Sequence, residues 1–135
     1  RFVAAGLVSL DEASHSGEVW VGGIPGVQML DDAGHIVRRF ESRNLPLGVT
    51  RDTEGIKTFE RFTWAESTRL VMLSDGVVEA TGPTGEAFGE ARLAGSLAIR
   101  RGDDLVAHLR AALTAHLDTV QAHDDISILV IDCPV

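Results

Sequence analysis

The sequence has few of the features that mark secreted, membrane or nucleic-acid-binding proteins. Its single cysteine, Cys133, has no partner for an intrachain disulfide. No apolar run approaches the roughly 18 residues of a membrane-spanning helix, and the opening RFVAAGLVSL lacks the parts of a signal peptide. Basic residues are scarce, with 12 Lys and Arg against 20 Asp and Glu. The resulting net charge of -8 disfavours binding to nucleic acid and to anionic membranes. The unpaired cysteine suits a reducing compartment, so we predict a cytoplasmic protein.

Length and composition predict one folding unit over residues 1–135. Hydrophobic residues make up 44% of the chain, which is enough to bury a single core at this length. The chain starts with Arg1 rather than methionine and enters a strand-like segment at once. We therefore expect it to be a piece of a longer protein.

The first half of the chain has the pattern of short β-strands. Segments rich in Val, Ile, Leu, Phe and Trp alternate with DEASHSG, GGIPG and DDAGH, whose turn chemistry predicts an antiparallel meander. The predicted strands are 2–10, 17–22, 26–31 and 35–40, followed by a loop over 41–55, a strand within 56–63 and the strand RLVMLSD.

Two helices and a closing strand are predicted in the second half. Leu93 and Leu97 lie one turn apart in the first helix, over 90–100. The second helix, over 103–118, has a leucine at every fourth position behind Asp103 and Asp104, whose carboxylates suit the positive end of a helix. The apolar ISILVID must then return to a sheet formed before the helices, which defines an α+β fold.

Acidic residues stand at the ends of two of these strands. Asp75 follows the most apolar strand and precedes Gly76, while Asp124 and Asp125 directly precede the closing strand. If the two strands are neighbours, these carboxylates meet at one rim and offer the oxygen ligands that Mg²⁺ or Mn²⁺ requires. Spacing alone favours a simpler interpretation, in which Asp-Gly is a turn and Asp-Asp is a solvated loop.

Other candidate sites have weaker support. The five histidines have no H-x-H spacing and no C-x-x-C beside them, which disfavours zinc. Ser74 lacks the G-x-S-x-G surroundings of a nucleophile and is interpreted as a strand residue. GGIPG lacks the lysine and the following helix of a phosphate-binding loop, so we predict a hairpin turn there.

The acidic strand ends belong to longer motifs that occur in a fixed order. These are GEVWVGGIPGVQMLDDAGHIVRRFESRNLPLGV, then RLVMLSDGVVEATGPTGEAFGEARL, and finally HDDISILVID. They resemble the G-G-x-P and L-P-L-G, the S-D-G-V-x-E-A and G-E-x-F-G, and the closing D-D-I-S-L-L-V patterns of a known family. That family is the bacterial PPM-type protein serine/threonine phosphatases, in the sporulation and stress-response branch. The resemblance covers nearly the whole chain.

The resemblance implies an α-β-β-α sandwich with antiparallel sheets and a pair of Mn²⁺ or Mg²⁺ ions at one end. It also implies hydrolysis of phosphoserine or phosphothreonine by a metal-activated water molecule. Asp75 matches the metal-binding Asp of the S-D-G motif, and Asp124 matches that of the closing D-D motif. Gly76 would permit the tight turn, and Asp125 would support the ligands or belong to the turn.

Two departures from the family pattern affect these expectations. The family's first metal motif, an Asp followed by a glycine-rich pattern, is absent, and two carboxylates cannot fill the about six ligand positions of each ion. The chain is therefore expected to be the C-terminal part of a PPM domain, incomplete at the N-terminus and inactive alone. Val21 stands where relatives commonly have Asn and offers no side-chain hydrogen bond.

Two hypotheses follow for the intact protein. The first is a phosphatase in bacterial signalling, the output domain of a two-component response regulator, with an upstream receiver or sensor domain. Its implied substrate is a phosphorylated anti-sigma-factor antagonist. The second is a degenerate PPM fold that serves as a binding or adaptor module without catalysis. An upstream Asp-Gly motif would favour the first hypothesis.

Overall fold

Seven strands and three helices form the described part of the protein, which is residues 1–51 and 59–135 of a computed structural model. The elements in chain order are β1 (Ala5–Asp11), β2 (Ser16–Gly22), β3 (Val27–Leu30), β4 (Ile36–Phe40), β5 (Glu60–Thr63), β6 (Thr68–Leu73), α1 (Asp75–Val78), α2 (Gly89–Leu97), α3 (Leu105–Leu117) and β7 (Ile128–Cys133). They confirm the predicted α+β fold. The predicted loop over 41–55 and strand within 56–63 each lie partly outside the described residues. No described helix is long and apolar enough to cross a membrane.

The strands form two antiparallel sheets. The first has three strands in the order β1-β2-β5, and the second has four in the order β4-β3-β6-β7. β7 pairs with β6 along the whole of both strands, from Thr68 opposite Cys133 to Leu73 opposite Ile128. This pairing confirms that the closing strand returns to a sheet whose other members precede the helices.

The GGIPG segment connects the two sheets, so the predicted hairpin turn at this place is wrong. β2 pairs with β1 and β5, whereas β3 pairs with β4 and β6. Gly23 has a φ of 79°, which favours glycine, and its N–H donates to Ser42 Oγ at 2.9 Å. The segment DEASHSG joins β1 to β2, and DDAGH joins β3 to β4, so both form hairpins. The predicted meander is interrupted only between these two hairpins.

Two apolar cores separate three layers. Successive side chains of a strand point to opposite faces, and on β6 Leu70 belongs to the core between the sheets. Val71 and Leu73 belong to the core between the four-stranded sheet and the helices. The buried residues of all three helices lie in this second core, including Leu109 at the centre of α3. β6 is therefore buried on both faces, which fixes the position of the turn that follows it.

Asp104 caps α3 as the acidic start of the predicted helix suggests. Its carboxylate accepts the N–H of Ala107 at 2.9 Å, which satisfies one of the free donors of the first turn. We expect Asp104→Ala to lower the free energy of unfolding by about 1 kcal/mol in urea denaturation. Asp103→Ala is the control, because the Asp103 side chain makes no hydrogen bond within residues 1–51 and 59–135. Equal losses in both variants would contradict the capping role.

Candidate functional site

β6 and β7 bring the predicted acidic residues to one end of the four-stranded sheet. The strands are antiparallel neighbours, and Leu73, the last residue of β6, pairs with Ile128, the first residue of β7. Asp75 therefore follows β6 at the same end at which Asp124 and Asp125 precede β7. The two strands are neighbours, which is the condition that a common acidic rim requires.

Ser74 links the two acidic segments. Its hydroxyl donates to the backbone oxygen of Asp125 at 3.0 Å and accepts the N–H of Ser127 at 2.9 Å. Its own N–H donates to the Ser127 oxygen at 3.0 Å. Ser74 lies between β6 and α1 and not within the strand, so its interpretation as a strand residue is wrong. No local signal could have revealed these bonds, because they join residues 51 and 53 positions apart.

Gly76 allows the two segments to approach each other. A Cβ at this buried position would lie 2.4 Å from the backbone oxygen of Asp125 and 3.2 Å from its carbonyl carbon. It would also lie 3.5 Å from the backbone oxygen of Asp124. Because these atoms are backbone and cannot rotate away, the contact requires glycine. The tight turn expected at Gly76 is therefore also a close contact with the opposite segment.

The rim offers carboxylate oxygens to solvent. Asp75, Asp124 and Asp125 are all exposed. Asp124 Oδ1 accepts the N–H of Asp125 at 2.8 Å, which orients that carboxylate. Hard, charged oxygens of this kind suit Mg²⁺ or Mn²⁺. Across residues 1–51 and 59–135, no three His, Cys, Asp or Glu residues form a group that could hold a metal ion, so this part of the chain supplies only some of the ligands.

Open space lies directly beside Asp124. Residues 121–126 line a surface depression of about 460 Å³. A larger cavity of about 620 Å³ lies along β1, β2 and β5, where Glu18 and Arg61 form an ion pair at 3.0 Å. That cavity is lined by none of Asp75, Asp124 and Asp125. The chemistry of the carboxylates, and not cavity volume, identifies the rim as the candidate site.

The GGIPG segment leads into β3 at the same end of the four-stranded sheet. Gln28 pairs with Val71 in antiparallel register, so β3 starts where β6 ends. Val21, which precedes the segment, is 2% exposed and packs in the core between the sheets. Its backbone oxygen accepts the N–H of Asn44 at 3.2 Å and the Asn44 side-chain amide at 3.1 Å. The Val21 side chain is thus a core residue and adds no polar group to the rim.

A family model and several solved structures are similar to this chain. A family model described as Stage II sporulation protein E (SpoIIE) matches residues 1–134. No curated protein sequence matches the chain. Among solved structures, the SiaA-PP2C domain of Pseudomonas aeruginosa is 21% identical with a TM-score of 0.76, over 94% of this chain and 50% of that chain.

Two further solved structures have the same fold. The phosphatase domain of SpoIIE from Bacillus subtilis is 13% identical with a TM-score of 0.65, over 98% of this chain and 59% of that chain. A manganese-presoaked form of that domain also matches. The RsbU and RsbW domains of Rv1364c from Mycobacterium tuberculosis are 17% identical with a TM-score of 0.64, over 93% of this chain and 35% of that chain.

The structural likeness establishes a PP2C-type (PPM) phosphatase fold for the described residues. It confirms the predicted fold class with two antiparallel sheets. The chain spans between 35% and 59% of the length of these solved chains, which agrees with the expectation of an incomplete domain.

Proposed function

The chain belongs to the Stage II sporulation protein E (SpoIIE) family, and we propose that it is part of a metal-dependent protein serine/threonine phosphatase. The observation that carries this proposal is the position of Asp75 and Asp124 at the common end of β6 and β7. Both carboxylates are exposed, and Ser74 ties their segments together. The PP2C-type fold supports the same reaction class.

Asp75 and Asp124 would be ligands of a pair of Mn²⁺ or Mg²⁺ ions. Gly76 and Asp125 would shape the turn around them through the contacts of their backbones. The donor set fits such ions in chemistry but not in number, so further ligands would come from outside the described residues. The manganese presoak of the SpoIIE phosphatase domain from Bacillus subtilis supports manganese as the first ion to test. Bound ions would make a water molecule acidic enough to serve as the nucleophile.

The residues of this chain would orient the reaction and would not form a covalent intermediate. Ser74 is the nearest hydroxyl to the rim in sequence, but it donates a hydrogen bond to the Asp125 backbone oxygen and accepts one from the Ser127 N–H. Neither partner is a general base, so the hydroxyl is not activated as a nucleophile. Asp75 and Asp124 would repel a phosphate group by their negative charge. Substrate binding at this rim would thus require cations, which accounts for the proposed metal dependence.

The proposed substrate is a phosphoserine or phosphothreonine protein in bacterial signalling. An anti-sigma-factor antagonist is the substrate class suggested by the family branch, and an upstream receiver or sensor domain would control the activity as part of a two-component response regulator. The net charge of -8 supports a protein that contacts neither nucleic acid nor anionic membrane. The single cysteine, Cys133, suits the reducing cytoplasm that we propose for it.

Phosphate release from peptides by the full-length protein tests this proposal. We expect release from phosphoserine and phosphothreonine peptides with Mn²⁺ or Mg²⁺, and loss of that release in excess EDTA. A phosphotyrosine peptide of the same sequence is the control and should remain intact. No release from any peptide with either ion would contradict the proposed activity.

A binding or adaptor module without catalysis is the second candidate function. It is favoured by Val21, whose buried side chain places no polar group where relatives commonly have Asn. In such a module the acidic rim would be a solvated surface. A full-length protein that binds a phosphoprotein partner equally well with Mn²⁺ and with EDTA, and that does not hydrolyse it, would support this alternative.

A further inference from the structure

We infer that Ser74 is a positioning residue whose hydroxyl fixes the separation of Asp75 and Asp124. The inference rests on the proposed function in one respect only, namely that the two carboxylates share a bound metal. The hydroxyl uses both its donor and its acceptor on the segment before β7, at 3.0 Å to the Asp125 oxygen and 2.9 Å to the Ser127 nitrogen. Both of these hydrogen bonds go to the opposite segment.

The hydrogen bond from the hydroxyl to the Asp125 oxygen joins residues adjacent in sequence to both carboxylates. Asp75 directly follows Ser74, and Asp124 directly precedes Asp125, so each carboxylate lies one peptide unit from a hydrogen-bonded residue. The regular pairing of β6 with β7 ends at Leu73 and Ile128. Beyond that pair, the Ser74 side chain continues the connection between the strands.

Few other hydrogen bonds hold the segment that carries Asp124. Within the described part of the chain, the bond from Ser74 to the Asp125 oxygen is the one hydrogen bond that ties residues 121–126 to a distant segment. The bond between Asp124 Oδ1 and the Asp125 N–H is internal to the segment and does not anchor it. Gly76 permits the close contact but supplies no attraction. Ser74 therefore provides the polar attachment of this segment.

Removal of the hydroxyl leaves the Ser127 N–H and the Asp125 oxygen to water. The segment then samples more positions. Binding of a metal ion to both carboxylates must therefore offset the conformational entropy that the segment loses when it becomes ordered. Partners that orient metal ligands typically change metal affinity by about 10- to 100-fold when they are removed. We expect a change at the lower end of this range, because the rim is exposed and water can replace the lost bonds.

The test compares three variants of the full-length protein. Ser74→Ala removes the hydroxyl and Ser74→Thr retains it. Ser127→Ala is the matched control, since within residues 1–51 and 59–135 the Ser127 side chain makes no hydrogen bond while its N–H does. Amide hydrogen exchange at residue 127 is measured without metal, and Mn²⁺ affinity is measured by calorimetry.

Ser74→Ala is expected to raise the exchange rate at residue 127 about tenfold, and to weaken Mn²⁺ binding about tenfold. Ser74→Thr and Ser127→Ala should bind Mn²⁺ like the wild type and should have wild-type protection of the residue 127 amide once the intrinsic exchange rate of each sequence is taken into account. Unchanged exchange or unchanged affinity in Ser74→Ala would overturn the inference, as would equal losses in Ser127→Ala. If Ser74→Ala does not fold, Ser74→Cys, with its weaker hydrogen bonds, should show faster exchange than wild type, and wild-type exchange would overturn the inference.

The two measurements separate this inference from the proposed function. A wild type that binds no Mn²⁺ would overturn the proposed metal site and, with it, the effect of Ser74 on affinity. The exchange rate at residue 127 would still report whether the hydroxyl holds the segment. If the wild type binds Mn²⁺ and Ser74→Ala binds it with the same affinity, the inference alone is overturned.

Discussion

Asp75→Asn and Asp124→Asn are each expected to reduce Mn²⁺-dependent phosphate release from a phosphoserine peptide by at least about 100-fold. Residues that only orient a metal ligand typically change metal affinity by about 10- to 100-fold, so loss of a ligand should have at least the larger effect. Asparagine keeps the shape of the side chain but removes the charge that attracts a divalent cation. The rate is measured in the full-length protein at saturating peptide.

Asp32→Asn is the matched control for these two variants. It removes the same charge from an exposed position near the turn after β3, and the pairing of Leu30 with Arg69 places this turn at the opposite end of β6. We expect its rate to equal that of the wild type. Undiminished turnover in Asp75→Asn or Asp124→Asn would remove that residue from the metal site.

Gly76→Ala is expected to destabilise the protein and to impair the site, although helix propensity alone favours the substitution. Alanine is better than glycine in a helix by about 1 kcal/mol. Against this gain, the new Cβ would lie 2.4 Å from the backbone oxygen of Asp125. Such overpacking typically costs about 1–3 kcal/mol, because one of two backbone segments must move. We expect a net loss of about 1 kcal/mol in unfolding free energy, and displacement of the segment that carries Asp124.

Gly95→Ala is the matched control, and the opposite sign is expected for it. Gly95 lies within α2, is exposed, and a Cβ there would meet no atom within 4 Å. Alanine should therefore raise the unfolding free energy by about 0.5–1 kcal/mol. Urea denaturation of both variants measures the difference. Equal stabilisation by the two substitutions would show that the turn at Gly76 is not held against Asp125 in solution.

Features that depend on local pattern could be predicted from the sequence. The leucines of α3 repeat at helical spacing, and β6 and β7 are short apolar runs next to turn residues. The order of these elements then required β7 to return to an existing sheet. The acidic residues of the rim followed from this pairing, because Asp75 follows one strand and Asp124 precedes its neighbour.

Features that depend on contacts between distant segments could not be predicted. GGIPG has the same turn chemistry whether its flanking strands pair with each other or join different sheets, and only the partners of β2 and β3 decide between these outcomes. The bonds of Ser74 join residues more than fifty positions apart, as the 51-residue separation from Asp125 and the 53-residue separation from Ser127 show. Local sequence carries no record of such a contact.

Mn²⁺ titration of the full-length protein by calorimetry tests the shared metal site most directly. We expect saturable binding in the wild type and in Asp32→Asn, and affinity at least about 100-fold weaker in both Asp75→Asn and Asp124→Asn. Wild-type affinity in both of the latter variants would contradict the assignment of Asp75 and Asp124 as metal ligands at the common end of β6 and β7.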